Sequence, residues 1–330
     1  MSRIVMLLAL MLLAASPLIL SRGDAPDIDA SFAIRAEPVP LDARNASRDR
    51  VGRLRFLGGW ELTSDDPDFG GISGMAVDGD DFLAVGDSGG IFRFALDGEG
   101  RIRRASIGSL VEGPSPENGG ETRKRDRDAE SVAIGPDGRS FWVGYERANA
   151  IWRYRTADGR ATANRAPEAM EDWPNNGGAE ALVRLPDGRF LVFSEAGDGP
   201  GSSNDALMFA GDPASDGRAP VRFGYRPPEG FRITDAALAG GNRLLILNRR
   251  FTFFEGVAVI VTMADLSDIR EGAILEGEPI ARFAPPLTVD NFEALAVTRE
   301  SGRTIVWMAS DDNFTPLQRT LLMKFELLER

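Results

Sequence analysis

Five short segments present chemically capable side chains in a repeated setting: Gly71-Ile-Ser-Gly-Met-Ala-Val77, Asp128-Ala-Glu-Ser-Val-Ala-Ile134, Gly178-Ala-Glu-Ala-Leu-Val-Arg184, Ile233-Thr-Asp-Ala-Ala-Leu-Ala239 and Asn291-Phe-Glu-Ala-Leu-Ala-Val297. Aligned on Ser73, Glu130, Glu180, Asp235 and Glu293, they recur at intervals of 57, 50, 55 and 58 residues. A second polar set follows each of them at Asp87, Glu146, Glu195, Asn248 and Asp311-Asp312. Carboxylates brought together raise one another's pKa unless positive charge compensates. A hard divalent cation such as Ca²⁺ accepts an oxygen-only donor set, which makes Asp87, Glu130, Glu146, Glu180, Glu195, Asp235, Glu293 and Asp311 candidate metal ligands. Arginine is the other compensator: Arg147 follows Glu146, Arg249 and Arg250 follow Asn248, and Arg123-Lys124-Arg125-Asp126-Arg127 leads into Glu130. The same residue types at strand starts also serve to cap neighbouring backbone, and that structural reading stays open for each of them.

Composition narrows the chemistry further. The 330 residues include neither Cys nor His, so disulfides, thiolate or imidazole metal sites, Cys nucleophiles and every His-dependent triad are excluded. With 38 basic and 50 acidic residues the net charge is −12, which argues against nucleic-acid or anionic-membrane partners. Only Lys124 and Lys324 are lysines, so almost all positive charge is carried by planar guanidinium forks suited to phosphate or carboxylate.

Positioning these residues requires a repeated element. Each segment is followed by a tight turn and a second apolar run, as in Pro136-Asp-Gly-Arg139 before Phe141-Trp-Val-Gly-Tyr145 and Pro186-Asp-Gly-Arg189 before Phe190-Leu-Val-Phe193. Asp-Gly supplies the positive backbone angle of a hairpin turn. Third runs follow at Ile91–Phe94, Ile151–Tyr154 and Val257–Val261, and fourth runs at Ile102–Ile107, Pro220–Tyr225 and Pro279–Phe283. Four strands in about 50 residues describe the blade of a β-propeller, its first strand lining the channel. The spacing predicts an all-β propeller of five four-stranded blades, with six as the alternative if the 96–128 or 261–292 interval hides a unit. The last repeat lacks a fourth strand, and Arg53–Leu62 is placed there, closing the ring. In an antiparallel hairpin the start of the first strand and the end of the second share one edge, so both polar sets are expected at one channel mouth. The aromatic Phe251-Thr-Phe-Phe254 segment is read as a buried blade contact.

The N-terminus is read separately. Arg3 precedes an apolar stretch from Ile4 to Leu20, so residues 1–22 are expected to be a secretory signal peptide or, alternatively, an N-terminal membrane anchor. Residues 23–50 read as a linker and 51–330 as the propeller domain. The expected location is periplasmic or secreted, or anchored to the inner membrane through residues 4–20.

Taken in order, Gly71-Ile-Ser-Gly-Met with Gly86-Asp-Ser-Gly-Gly, Asp128-Ala-Glu-Ser-Val with Tyr145-Glu-Arg, Gly178-Ala-Glu-Ala-Leu with Ser194-Glu, and Asn291-Phe-Glu-Ala-Leu-Ala resemble the phytase-like, esterase-like domain family of exported bacterial proteins. The resemblance spans roughly residues 54–328. It implies a propeller related to calcium-dependent β-propeller phytases and hydrolysis of a small-molecule phosphate or carboxylic ester; independently of the resemblance, a monomer is expected. It implies Glu130, Glu180 and Glu293 as an inner catalytic ring, Asp87, Glu146, Glu195 and Asp311 as outer ligands, and Arg147, Arg249 or Lys124 as holders of the phosphate. The chain departs from phytases in offering one Lys in a candidate loop, and it has no Gly-x-Ser-x-Gly elbow. A non-catalytic binding or scaffold propeller with a structural ion is the competing expectation, with Gly177-Gly178, Gly240-Gly241 and the Phe251–Phe254 loop as its contact loops.

Overall fold

The hairpin turns set the blades. Gly138 and Gly188 adopt φ of 66° and 92°, a region open to glycine at no steric cost, and each reverses the chain between two strands buried on both faces. A computed structural model describes residues 32–115 and 127–329. Three strands come first: β1 (Ile34–Pro38), β2 (Arg50–Val51) and β3 (Leu54–Ser64). Blade 1 follows as β4 (Ile72–Asp78), β5 (Asp81–Gly86), β6 (Gly90–Leu96) and β7 (Ile102–Ser109). Blade 2 is β8 (Ala129–Ile134), β9 (Ser140–Tyr145), β10 (Ala150–Arg155) and β11 (Ala161–Arg165). Blade 3 is β12 (Ala179–Arg184), β13 (Phe190–Ser194), β14 (Asn204–Phe209) and β15 (Val221–Arg226). Blade 4 contains β16 (Arg232–Gly240), β17 (Arg243–Thr252) and β18 (Gly256–Asp265); its chain then passes through β19 (Ile274–Glu276) before β20 (Glu278–Phe283). Blade 5 is β21 (Phe292–Glu300), β22 (Arg303–Ser310) and β23 (Leu321–Leu327).

Five antiparallel four-stranded blades therefore form a five-bladed propeller, as the repeat spacing predicts. β3 pairs with β23 from Leu54↔Leu327 to Glu61↔Leu321, supplying the missing fourth strand from the N-terminal side. The 261–292 interval holds no sixth blade. β19 instead leaves blade 4 to pair in parallel with β15, covering the outer edge of blade 3.

Each gap between neighbouring blades holds its own apolar core. Phe82 meets Trp307 edge-on at 4.8 Å between blades 1 and 5, and Trp142 meets Phe190 at 4.9 Å between blades 2 and 3. Leu247, Val261, Phe292 and Met308, all fully buried, fill the gap between blades 4 and 5. Each such side chain contributes about 1.5–3 kcal/mol of burial. Strands such as β13, buried at every position, read as continuous apolar runs because blades cover both of their faces.

Two expectations change. The stretch read as a linker contains β1, which pairs with β3 from Ile34↔Ser64 to Pro38↔Trp60, and Leu41 is 1% exposed in the core. Its signal is weak in sequence because β1 covers only the outermost strand and stays largely exposed. The Phe251–Phe254 segment is not a buried contact: β17 and β18 run ten residues each, carrying its tip beyond the blade, where Phe253 is 88% and Phe254 96% exposed. Residues 1–22 and Lys124 lie outside the described residues. Among the described residues, no helix is long and apolar enough to cross a membrane.

Candidate functional site

A β-bulge opens the first hairpin of every blade. The register steps over one residue between Ile72 and Gly74, Ala129 and Ser131, Ala179 and Ala181, Ile233 and Asp235, and Phe292 and Ala294. The bulged residues are Ser73, Glu130, Glu180, Thr234 and Glu293. A bulge re-aims a side chain that a regular ladder would alternate between faces. Asp235, aligned with the glutamates in the sequence, is thus one position out of register. The same shift applies on the second strand, where the residue before the bulge in blade 4, Ile233, pairs with Asn248. The position after this pair is Asp87 in blade 1, Glu146 in blade 2, Glu195 in blade 3, Arg249 in blade 4 and Asp311 in blade 5. The ring at the mouth is four acids closed by one arginine.

Asp235 has a structural task instead. It is 4% exposed and accepts backbone N–H bonds from Leu295 at 2.6 Å and Ala236 at 2.8 Å, tying β16 to β21. Burial pushes its carboxyl well above the usual range, with both amides opposing. Its neighbour Thr234 donates to the Phe292 carbonyl at 3.2 Å, Ser131 donates to that of Ala179 at 2.6 Å, and Ser73 donates to that of Ala129. These hydroxyls pin adjacent inner strands, as the capping reading anticipates. Asn248 is also structural: fully buried, it accepts from the Tyr225 hydroxyl at 2.7 Å and donates to the Ile246 and Ile260 carbonyls.

Glu130, Glu180 and Glu293 share one electrostatic environment around the channel. Burial is the largest cause lifting each carboxyl above its ordinary 4.5; Glu180 and Glu293 reinforce it at Glu130, and Glu195, Glu146 and Glu293 at Glu180. Glu293 is held back by Arg249, whose guanidinium lies 3.2 Å away, and by Asn291, which donates to Oε1 at 2.9 Å. Glu130 and Glu180 are raised further. Burial likewise lifts Asp311 to about 8, with Glu293 adding to it, and Glu146 to about 7, with Asp128 adding to it. The arrangement sets carboxyls of different proton affinity side by side.

On the blade 2 side, oxygens of Asp128, Glu130 and Glu146 all lie within 4.8 Å of one another. Two oxygens bound to one Ca²⁺ at about 2.3–2.6 Å are at most about 5 Å apart, so this hard, oxygen-only set fits such an ion. Asp128 was missed as a ligand in the sequence; its signal is the acid two positions before the bulged Glu130. Glu146 also accepts from the Gly177 N–H. Gly178 permits this approach, since an added Cβ would fall 2.9 Å from Asn149 Oδ1 and 3.0 Å from the Glu146 Cα. Gly177 and Gly178 thus seat Glu146 and are not a free contact loop.

Arg147 reaches the same rim, donating from Nε to Asp128 at 3.1 Å and from an Nη to Asn176 at 3.2 Å. Glu195 faces Arg232 at 3.3 Å. Arg232, Arg249, Arg250, Glu195, Gly230 and Phe251 line a cavity of about 270 Å³ on the blade 4 side. The mouth is therefore polarised, with acids gathered at blade 2 and guanidinium groups at blade 4.

The chain belongs to the phytase-like family, described as having the esterase-like activity of phytase, which it matches over residues 67–314. No curated protein matches it. Among solved structures it is similar to glutaminyl cyclase of Myxococcus xanthus, at 12% identity and a TM-score of 0.46, covering 85% of this chain and 100% of that one. It is also similar to hydrazine synthase of Kuenenia stuttgartiensis, at 13% identity and a TM-score of 0.41 over 74% of this chain and 78% of that one. A chain of a nidogen/laminin complex is similar at 11% identity and a TM-score of 0.43 over 86% of this chain and 91% of that one.

Proposed function

We propose that the protein is an exported hydrolase of a small-molecule phosphate or carboxylic ester, acting at the carboxylate-lined mouth with Ca²⁺ held by Asp128, Glu130 and Glu146. The observation that carries this reading is the convergence of those three carboxylates within 4.8 Å beside a graded set of further acids. The family to which the chain belongs supports hydrolysis, and the apolar stretch at residues 4–20 supports export. Bound Ca²⁺ would polarise the ester oxygen and offset charge developing on it.

The chain's own residues supply the rest. Glu293, whose carboxyl Arg249 and Asn291 hold lower than burial alone would leave it, accepts a proton from the attacking water. Glu180, more strongly raised, keeps a proton at its carboxyl and delivers it to the leaving oxygen. Arg249 and Arg147 orient an anionic substrate group through spare N–H donors.

The test is turnover by the purified protein, with and without Ca²⁺, on a panel of phosphomonoesters and acyl esters. Glu180→Gln and Glu293→Gln are expected to lower kcat by about 10²–10⁴. No turnover on any substrate, with Ca²⁺ still raising the melting temperature, would replace this reading with the non-catalytic module and its structural ion.

A further inference from the structure

Six large hydrophobic side chains are exposed among the described residues, and five of them stand on loops of the mouth face, in blades 4 and 5. Phe251, Phe253 and Phe254 are 65%, 88% and 96% exposed at the tip of the β17–β18 hairpin of blade 4. Phe314 and Leu317, 38% and 92% exposed, lie in the β22–β23 loop of neighbouring blade 5. Both loops follow second strands, so both stand on the mouth face. The finger is firmly built: its ladder continues through Phe251↔Val257 to Thr252↔Gly256, and the Phe253 and Phe254 rings meet edge-on at 5.5 Å. Apolar side chains grouped at the end of a ladder mark an interaction site rather than scattered surface residues.

The N-terminal segment enters the fold on that same face. β1 begins at Ile34 opposite Ser64, the mouth end of β3, and Phe32 packs on Phe69 at 5.9 Å in the apolar core between blades 1 and 5. In the sequence, 11 residues separate Leu20, the end of the apolar stretch, from Phe32. They span at most about 40 Å when fully extended. If residues 4–20 lie in the exporting membrane, the aromatic sector is therefore within a short tether of that membrane's outer surface. The charges facing this sector do not favour an anionic surface. Arg250 is paired with Glu255, Arg232 with Glu195 and Arg249 with Glu293, so the guanidinium groups beside the finger already have acidic partners.

We propose that the Phe251–Phe254 finger, with Leu317, is a membrane-docking device that dips into the interfacial region of a zwitterionic phospholipid bilayer and turns the carboxylate-lined mouth toward it. Aromatic rings are suited to this interface, and docking by apolar insertion is independent of anionic lipid and nearly insensitive to salt. It holds whether or not the mouth is catalytic.

The absence of cysteine allows a clean test on the full chain. Phe253→Cys and, on the far face in the β12–β13 turn, Asp187→Cys are each labelled with a polarity-sensitive fluorophore and reconstituted with phosphatidylcholine vesicles. The label at 253 is expected to shift to the blue, brighten several-fold and be quenched by spin-labelled lipid, while that at 187 stays as in buffer. A Phe254→Ser change in the 253-labelled chain should weaken the response with the melting temperature unchanged. An unaltered 253 label, or equal responses at both positions, overturns the proposal. A shift that appears without lipid and grows with protein concentration also overturns it, in favour of contact between copies.

Discussion

The Arg249 guanidinium lies 3.2 Å from the Glu293 carboxylate and occupies the position in blade 4 that an acid occupies in every other blade. One cation thus faces a ring of acids, and it opposes the rise that burial imposes on the Glu293 carboxyl. Arg249→Met leaves Glu293 beside Glu195 and Asp87 without its counter-ion, so its carboxyl climbs further. The expected result is a loss of about 10²–10⁴ in kcat/KM and an acidic limb of the pH–rate profile moved to higher pH. Arg249→Lys should restore part of both, since charge without the planar fork remains.

Glu130→Gln has effects of opposite sign on stability and on ion binding. Removing one charge from a crowded set relieves repulsion, so the metal-free variant should melt at higher temperature than the unaltered protein. Its Ca²⁺ affinity should fall by about tenfold or more, because one of three close carboxylates is neutral. Calorimetric titration alongside thermal melts measures both.

Stability without Ca²⁺ should fall as pH rises. Asp311 titrates near 8 in the folded protein against an ordinary 3.8, and Glu146 near 7 against 4.5. Between those limits the folded chain retains protons that the unfolded chain releases, so stability present below about pH 4 is progressively lost toward pH 8. Melts in chelator across that range give the slope. Added Ca²⁺ should flatten it and release protons on binding, detectable in weakly buffered solution.

Asp235→Ala should destabilise by about 2 kcal/mol, chiefly because the buried Leu295 N–H loses its partner. Ca²⁺ affinity should be unchanged. A denaturant titration paired with an ion titration separates this inter-blade tie from a ligand role.

Legibility in the sequence tracked how much each element repeats. The first hairpin of each blade stood out because a channel-lining strand, a Gly turn and a fully buried second strand recur with little variation, and Leu54–Leu62 was placed in blade 5 because a ring cannot close without it. β1, β11, β14 and β19 were not singled out. β1, β11 and β19 are outer or edge elements, short or only partly buried, so no strong apolar alternation marks them, whereas β14 lies inside its sheet between β13 and β15 and its opening Asn204-Asp205 interrupts the apolar run. Among the site residues, Glu130, Glu180, Glu293, Asp87, Glu146, Glu195 and Asp311 arrive at the mouth as the spacing implied. Asp235 does not, and Thr234 and Arg249 take the blade 4 positions.

The sequence alone determined the family, the repeat and an oxygen-and-guanidinium chemistry, because periods near 50 residues and the absence of His and Cys survive any local uncertainty. Which acids share the channel was decided by tertiary structure. A repeat period tolerates an offset of one residue, whereas a strand does not, since a single step sends a side chain to the opposite face. The five bulges fix that step, and in blade 4 they turn Asp235 into a tie between strands and bring Arg249 to the ring of acids.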